Sequence, residues 1–187
     1  MRQDVLTIPN VLSATRLFLL PLLYYFALTG RETQFLVAYI LIGSTDYFDG
    51  LSARLLNRRT NFGKALDSIA DIPFYISSAY FLYLLYPQYI QPLTPMVIAF
   101  FVLFGLSFVV SAIRCGKPIM MHTFLLRLNG VLVFVCIVLS YFTNTTWLIG
   151  VILVIYYVAF IEELAIFFKY GQVDPDSPSF FSIKSKT

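Results

Sequence analysis

Residues 35–54 read FLVAYILIGSTDYFDGLSAR. A run without a single charge passes directly into Asp46 and Asp49, and Arg54 closes the stretch. Beyond a short basic connection, NRRTNFGK at residues 57–64, two more carboxylates follow, Asp67 and Asp71. An apolar run of this length reads as a membrane helix, and such a helix carries carboxylates only where something compensates their burial. The fold and the function both turn on what that compensation is.

Composition agrees with a membrane setting. The 187 residues are 59% hydrophobic and 12% charged, whereas a soluble domain carries about 25% charged residues. Mean hydropathy is +0.79. The length suits one domain. The formal net charge of +3 is modest, and the basic residues sit at segment ends. They read as topology signals and not as a nucleic-acid surface. Cys115 and Cys136 lack metal-ligand spacing and do not make a disulfide scaffold, so free thiols are expected. At the amino end Arg2 is offset by Asp4 and no small-residue cleavage site follows, which predicts a retained first helix.

Hydropathy predicts six spans, near 11–29, 34–57, 63–86, 94–114, 121–143 and 146–169. The separators carry Pro, Gly, Asn, Thr or charge. The expected architecture is an all-α integral membrane protein, with a six-helix domain over 1–170 and a polar, flexible tail over 171–187. Arg54, Arg58, Arg59 and Lys64 crowd one connection, Arg114 and Lys117 another, and Lys169, Lys184 and Lys186 the tail. By the positive-inside rule both termini and these two connections are cytoplasmic. The 19 Phe and 13 Tyr suit lipid-facing and interfacial surfaces.

On a helix, Asp46, Asp49, Gly50 and Ala53 fall within an arc of about 100°. Gly63, Asp67 and Asp71 follow i, i+4, i+8 spacing and share one face. A short connection makes the two helices antiparallel neighbours, so the acidic stripes can face each other. Each buried carboxylate costs about 3 kcal/mol on insertion scales. Arg54 could neutralise one of the four. Divalent metal is the other strong option, and an all-oxygen donor set suits Mg, Ca or Mn rather than zinc. Gly50, Ala53 and Gly63 leave room for a ligand or a neighbouring helix to approach the backbone. From the stripe alone, metal-dependent catalysis and cation transport stand level.

The order D-x2-D-G-x2-A-R-x8-G-x3-D-x3-D is filled by Asp46, Asp49, Gly50, Ala53, Arg54, Gly63, Asp67 and Asp71. Every element and spacing is similar to the signature of the CDP-alcohol phosphotransferases, a membrane family with six transmembrane helices and a cytoplasm-facing site. The resemblance implies transfer of a phosphatidyl-type group from a CDP-linked lipid to an alcohol, with release of CMP, in phospholipid synthesis. It implies that Asp46, Asp49, Asp67 and Asp71 hold two Mg or Mn ions and that Asp71 is also the general base. It places Gly50, Ala53, Arg54, Thr60 and Gly63 at the nucleotide and its phosphates, and it implies a homodimer.

The opening TIPNVLSATRLFLLP, residues 7–21, resembles phosphatidylglycerophosphate-synthase-like members, with Asn10, Ser13, Arg16 and Pro21 in matching places. That would bring Asn10 and Ser13 near the nucleotide; a helix-capping role is the alternative. Arg16, inside the first span, could snorkel, pair with an acid or touch substrate. Arg114 and Arg127 are candidates for the phosphate of an acceptor such as glycerol 3-phosphate or an inositol phosphate. Positive-inside topology is the plainer reading for Lys117. The stretch CGKPIMMHTFLLRLNG, residues 115–130, departs from the Lys-Thr pattern of glycerol-phosphate users and leaves the acceptor open. His122 reads as interfacial, and Glu162 and Glu163 as salt-bridge or interfacial groups. The competing reading is a small cation or proton transporter using the same acids. A transporter has no need of the Gly-Ala-Arg-Gly frame, and the intact signature argues against a degenerate, non-catalytic homologue.

Overall fold

A computed structural model of the chain describes residues 8–55, 61–116, 118, 119, 121, 123–171, 179 and 180, with positions 8, 9, 46–55, 61, 62, 64, 65, 67 and 68 described as backbone alone. Helices account for the regular structure, with no strand among the described residues. They are α1 (Ile8–Leu28), α2 (Glu32–Leu55), α3 (Asn61–Leu85), a single turn α4 (Pro87–Ile90) leading into the 3-10 turn Gln91–Leu93, α5 (Thr94–Cys115), α6 (Phe124–Ser140) and α7 (Thr146–Tyr170). Among the described residues six helices are long, one for each predicted span.

Asn10–Leu28, Pro87–Cys115 and Thr146–Tyr170 are long and apolar enough to cross a membrane by length and composition. Ile69–Leu85 and Phe124–Ser140 are shorter apolar helices. α2 carries Glu32, Asp46, Asp49 and Arg54 along its length, and the first half of α3 carries Lys64, Asp67 and Asp71. The fifth span is shorter than predicted because α6 begins at Phe124. Thr123 precedes it and its Oγ1 accepts the Leu126 N–H at 3.5 Å, as an N-capping threonine does.

The chain forms two compact units, residues 1–87 with 137–143, and residues 88–136 with 144–187. In the first, α1 turns into α2 through Gly30 at φ +67°. Arg31 N–H reaches the Phe26 carbonyl at 2.9 Å and Gly30 N–H the Ala27 carbonyl at 3.3 Å. This pair of bonds is the Schellman ending, and its left-handed residue favours glycine. α1 packs along both α2 and α3. Tyr24 of α1 shares a hydrogen bond with Ser77 of α3 at 2.8 Å and sets its ring edge-on to Phe81 at 4.9 Å. α2 meets α3 through large rings. Tyr39 stacks on Phe74 at 5.3 Å and shares a hydrogen bond with Ser78 at 2.9 Å, and Phe35 meets Phe81 at 5.0 Å.

In the second unit α5 and α7 run side by side in the same direction. Tyr157 Oη donates to the Met96 carbonyl near one end, and Arg114 meets the Phe167 and Phe168 carbonyls near the other. Phe100 and Phe104 pack against Tyr156 and Phe160 between them. α6 is tied to α7 by the Asn129 side-chain amide, which donates to the Ile152 carbonyl at 3.4 Å. Many large apolar side chains face outward from the helices, among them Phe18, Leu41, Val102, Val131 and Ile161. That is the expected surface of helices whose solvent is lipid tail, where packing and interhelical hydrogen bonds replace the hydrophobic drive.

Candidate active site

The Tyr39 and Phe35 contacts between α2 and α3 fix the register of the two helices. Seven residues, two helical turns, beyond Tyr39 is position 46; seven residues before its partners Phe74 and Ser78 are positions 67 and 71. Fourteen residues beyond Phe35 is position 49, and fourteen before Phe81 is again 67. Counted at helical rise along two antiparallel helices, positions 46 and 49 of α2 are expected level with 67 and 71 of α3. The side chains of Asp46, Asp49, Gly50, Ala53, Arg54 and Asp67 lie outside the described residues, as do all of Thr60, Lys117 and His122. Gly63 is half-buried at the start of the α3 face that carries 67 and 71.

Asp71 is described in full. Its Oδ1 accepts from Nη1 of Arg16, and the two form an ion pair. Arg16 is 1% exposed and Asp71 is 17% exposed. Among the roles open to Arg16 from its sequence position, pairing with an acid is the one the structure displays. The reason is electrostatic, since a guanidinium inside an apolar span is costly unless a carboxylate or water meets it. Asn10 and Ser13 are buried on α1 at i, i+3 spacing ahead of Arg16. The three form one polar stripe on the face of α1 that reaches Asp71.

Arg114 and Arg127 belong to the second unit, and both are exposed. Arg114 Nη2 donates to the Phe168 carbonyl at 2.7 Å and Nε to the Phe167 carbonyl at 3.4 Å. It thus satisfies carbonyls at the C-terminal end of α7, a place that also favours a cation.

Glu163 differs from its sequence reading. It is 2% exposed, and its carboxylate accepts from Ser107 Oγ at 2.7 Å and from the Met121 backbone N–H at 2.9 Å. It therefore ties the α5–α6 connection to α7 by hydrogen bonds to neutral donors, where a salt-bridge or interfacial group was the expectation. Glu162 likewise accepts the Phe180 N–H at 2.9 Å. The Tyr–Ser pairs between helices and the Glu163 clamp were not found by sequence reasoning. Their one sequence signal is a Ser or Glu placed inside an apolar run, which marks polar contact between helices without naming the partner.

Among the described residues no group of three His, Cys, Asp or Glu side chains is gathered to hold a metal. The donor set of positions 46, 49, 67 and 71 is all carboxylate, which fits a hard divalent ion. The fully described member, Asp71, already engages a cation in Arg16.

The chain matches the model of the CDP-alcohol phosphatidyltransferase family over residues 6–162 and belongs to that family. With its apolar helices, this membership makes it an integral membrane protein. It is 42% identical over 66 residues to a CDP-diacylglycerol–glycerol-3-phosphate 3-phosphatidyltransferase of Aquifex aeolicus, 35% of this chain and 37% of that relative. It is 40% identical over 95 residues to the cardiolipin synthase (CMP-forming) of Homo sapiens, 50% of this chain and 31% of that relative. It is 34% identical over 88 residues to a CDP-diacylglycerol–inositol 3-phosphatidyltransferase of Candida albicans, 46% of this chain and 38% of that relative. The chain thus spans about a third of the length of these curated relatives. No solved structure matches it.

Proposed function

We propose that the chain transfers a phosphatidyl-type group from a CDP-linked lipid, such as CDP-diacylglycerol, to an alcohol hydroxyl and releases CMP, as a step of phospholipid synthesis. One observation supports this reading: the chain, a member of the family, keeps all four aspartates of the signature, on the successive helices α2 and α3. In this reading Asp46, Asp49, Asp67 and Asp71 hold two Mg or Mn ions. When bound, such ions stabilise charge on both the attacking and the leaving oxygens of an in-line displacement.

The chain's own residues do the rest. The acceptor oxygen attacks the β-phosphorus, a new P–O bond forms, and the bond to the CMP oxygen breaks. Asp71 takes the hydroxyl proton at its carboxylate, which requires hydrogen-bond reach. Arg54 contacts the donor phosphates, for which a planar guanidinium is well shaped. Gly50, Ala53 and Gly63 leave space for the nucleotide, with Asn10, Ser13 and Thr60 beside it. Arg114 and Arg127 favour a phosphorylated acceptor, glycerol 3-phosphate or an inositol phosphate. Both termini and the basic connections face the cytoplasm, so the donor's tails stay in the bilayer while its headgroup enters from water. The working form is a homodimer.

The test is CMP release by purified protein given CDP-diacylglycerol and, separately, glycerol 3-phosphate, serine, inositol, inositol phosphate or a second phospholipid. Release is expected with a phosphorylated acceptor. Silence with every alcohol overturns the reading.

A further inference from the structure

The mechanism assigns Asp71 two tasks, metal ligand and proton acceptor, yet its carboxylate already has a cation. Arg16 lies on α1, outside the α2–α3 pair that carries the acids, and reaches across to Oδ1 of Asp71 from a fully buried position. Four carboxylates gathered in an apolar interior repel one another, and each raises the cost of the next. A guanidinium held against one of them lowers that cost when no metal is bound. The same guanidinium opposes a second cation on the same carboxylate, by occupying an oxygen lone pair and by like-charge repulsion across a few ångströms of low-dielectric protein.

We propose that Arg16 is the resident counter-ion of the site: its guanidinium and a divalent metal compete for the carboxylate of Asp71. Arg16 is thus a positioning residue that keeps the metal-free site folded and sets how tightly metal is taken up. The inference rests on the metal site proposed above. A guanidinium that merely oriented Asp71 for the metal would have the opposite sign, because its loss would weaken binding.

The experiment is Mn2+ affinity by electron paramagnetic resonance, together with thermal unfolding, on protein in nanodiscs. Arg16→Gln is expected to bind Mn2+ at least about tenfold more tightly than wild type, because an opposing charge is gone. Its metal-free melting temperature should fall, and its rise on adding Mn2+ should exceed that of wild type. In an Asp71→Asn background the same change should give a distinctly smaller tightening, because only the like-charge repulsion is left to relieve. Arg16→Lys keeps the charge and should stay within about threefold of wild type. In wild-type protein labelled with 15N-arginine, the Arg16 side-chain resonance should shift on adding Mg2+. An equal or weaker Mn2+ affinity in Arg16→Gln overturns the inference, as does an unmoved Arg16 resonance should that variant fail to fold. Wild-type protein that binds no Mn2+ would sink the metal site itself, and this inference with it; binding by wild type without tightening in the variant sinks the competition alone.

Discussion

The ion pair between Arg16 and Asp71 changes what a substitution at Asp71 does. In the proposed mechanism Asp71→Asn removes the proton acceptor, and it also replaces a carboxylate that Arg16 engages with a neutral amide. Breaking one side of a buried pair costs about 3 kcal/mol, because the remaining charge stays desolvated. Asp71→Asn is therefore expected to lose CMP release and also to melt at a lower temperature. Adding Arg16→Met should recover the melting temperature and leave CMP release absent. Turnover in Asp71→Asn would remove the proton-acceptor role, and a melting temperature that the second change cannot recover would remove the pair as the cause. Glu163 makes a complementary case far from the acids in sequence. Its two acceptor bonds, to Ser107 and the Met121 N–H, are both buried. Glu163→Ala strands those donors and should cost about 2 kcal/mol in unfolding measurements. Glu163→Gln keeps a carbonyl oxygen for one donor and should cost distinctly less.

At the scale of the helices, register matters more than the strength of any one contact. Interhelical hydrogen bonds in membranes average about 0.6 kcal/mol. The Tyr39–Ser78 and Tyr24–Ser77 pairs are therefore too weak to hold α1, α2 and α3 together, and ring packing carries that load. What the hydroxyls add is selection: a shift of one residue turns each Ser by about 100° away from its Tyr. This is testable in protein lacking Cys115 and Cys136. Asp46→Cys with Asp71→Cys should cross-link quickly through a short bifunctional reagent, whereas Asp46→Cys with Leu85→Cys should not. Efficient linkage of the second pair would refute the register.

The number of helices was legible in the residues, because apolar length is a local property. The partner of Arg16 was not, since α1 and α3 are joined only through the whole of α2. Nor was the start of α6, which Thr123 and the Met121–Glu163 bond decide against an apolar run extending back to 121. Hydropathy counts side chains and does not register a cap or a clamp from another helix.

For the whole molecule, the proposed reaction requires charge to be handled in an apolar solvent. Unit one holds the acids and unit two the basic groups Arg114 and Arg127. Arg114 has a sufficient structural duty in closing the carbonyl end of α7. Arg127 sits exposed in the first turn of α6. In the proposed function it meets a phosphorylated acceptor. Arg127→Ala should raise KM for that acceptor about tenfold, the equivalent of one charge-assisted hydrogen bond, with kcat and the KM for CDP-diacylglycerol within about twofold. An interaction of equal strength in the ground and transition states shows in KM alone when it is removed. Should the variant instead lose affinity for the CDP-lipid, Arg127 belongs with the donor. Steady-state CMP release with each substrate varied in turn separates the two outcomes, and Arg114→Ala, expected to lower the melting temperature with acceptor KM less affected, provides the contrast within the same unit.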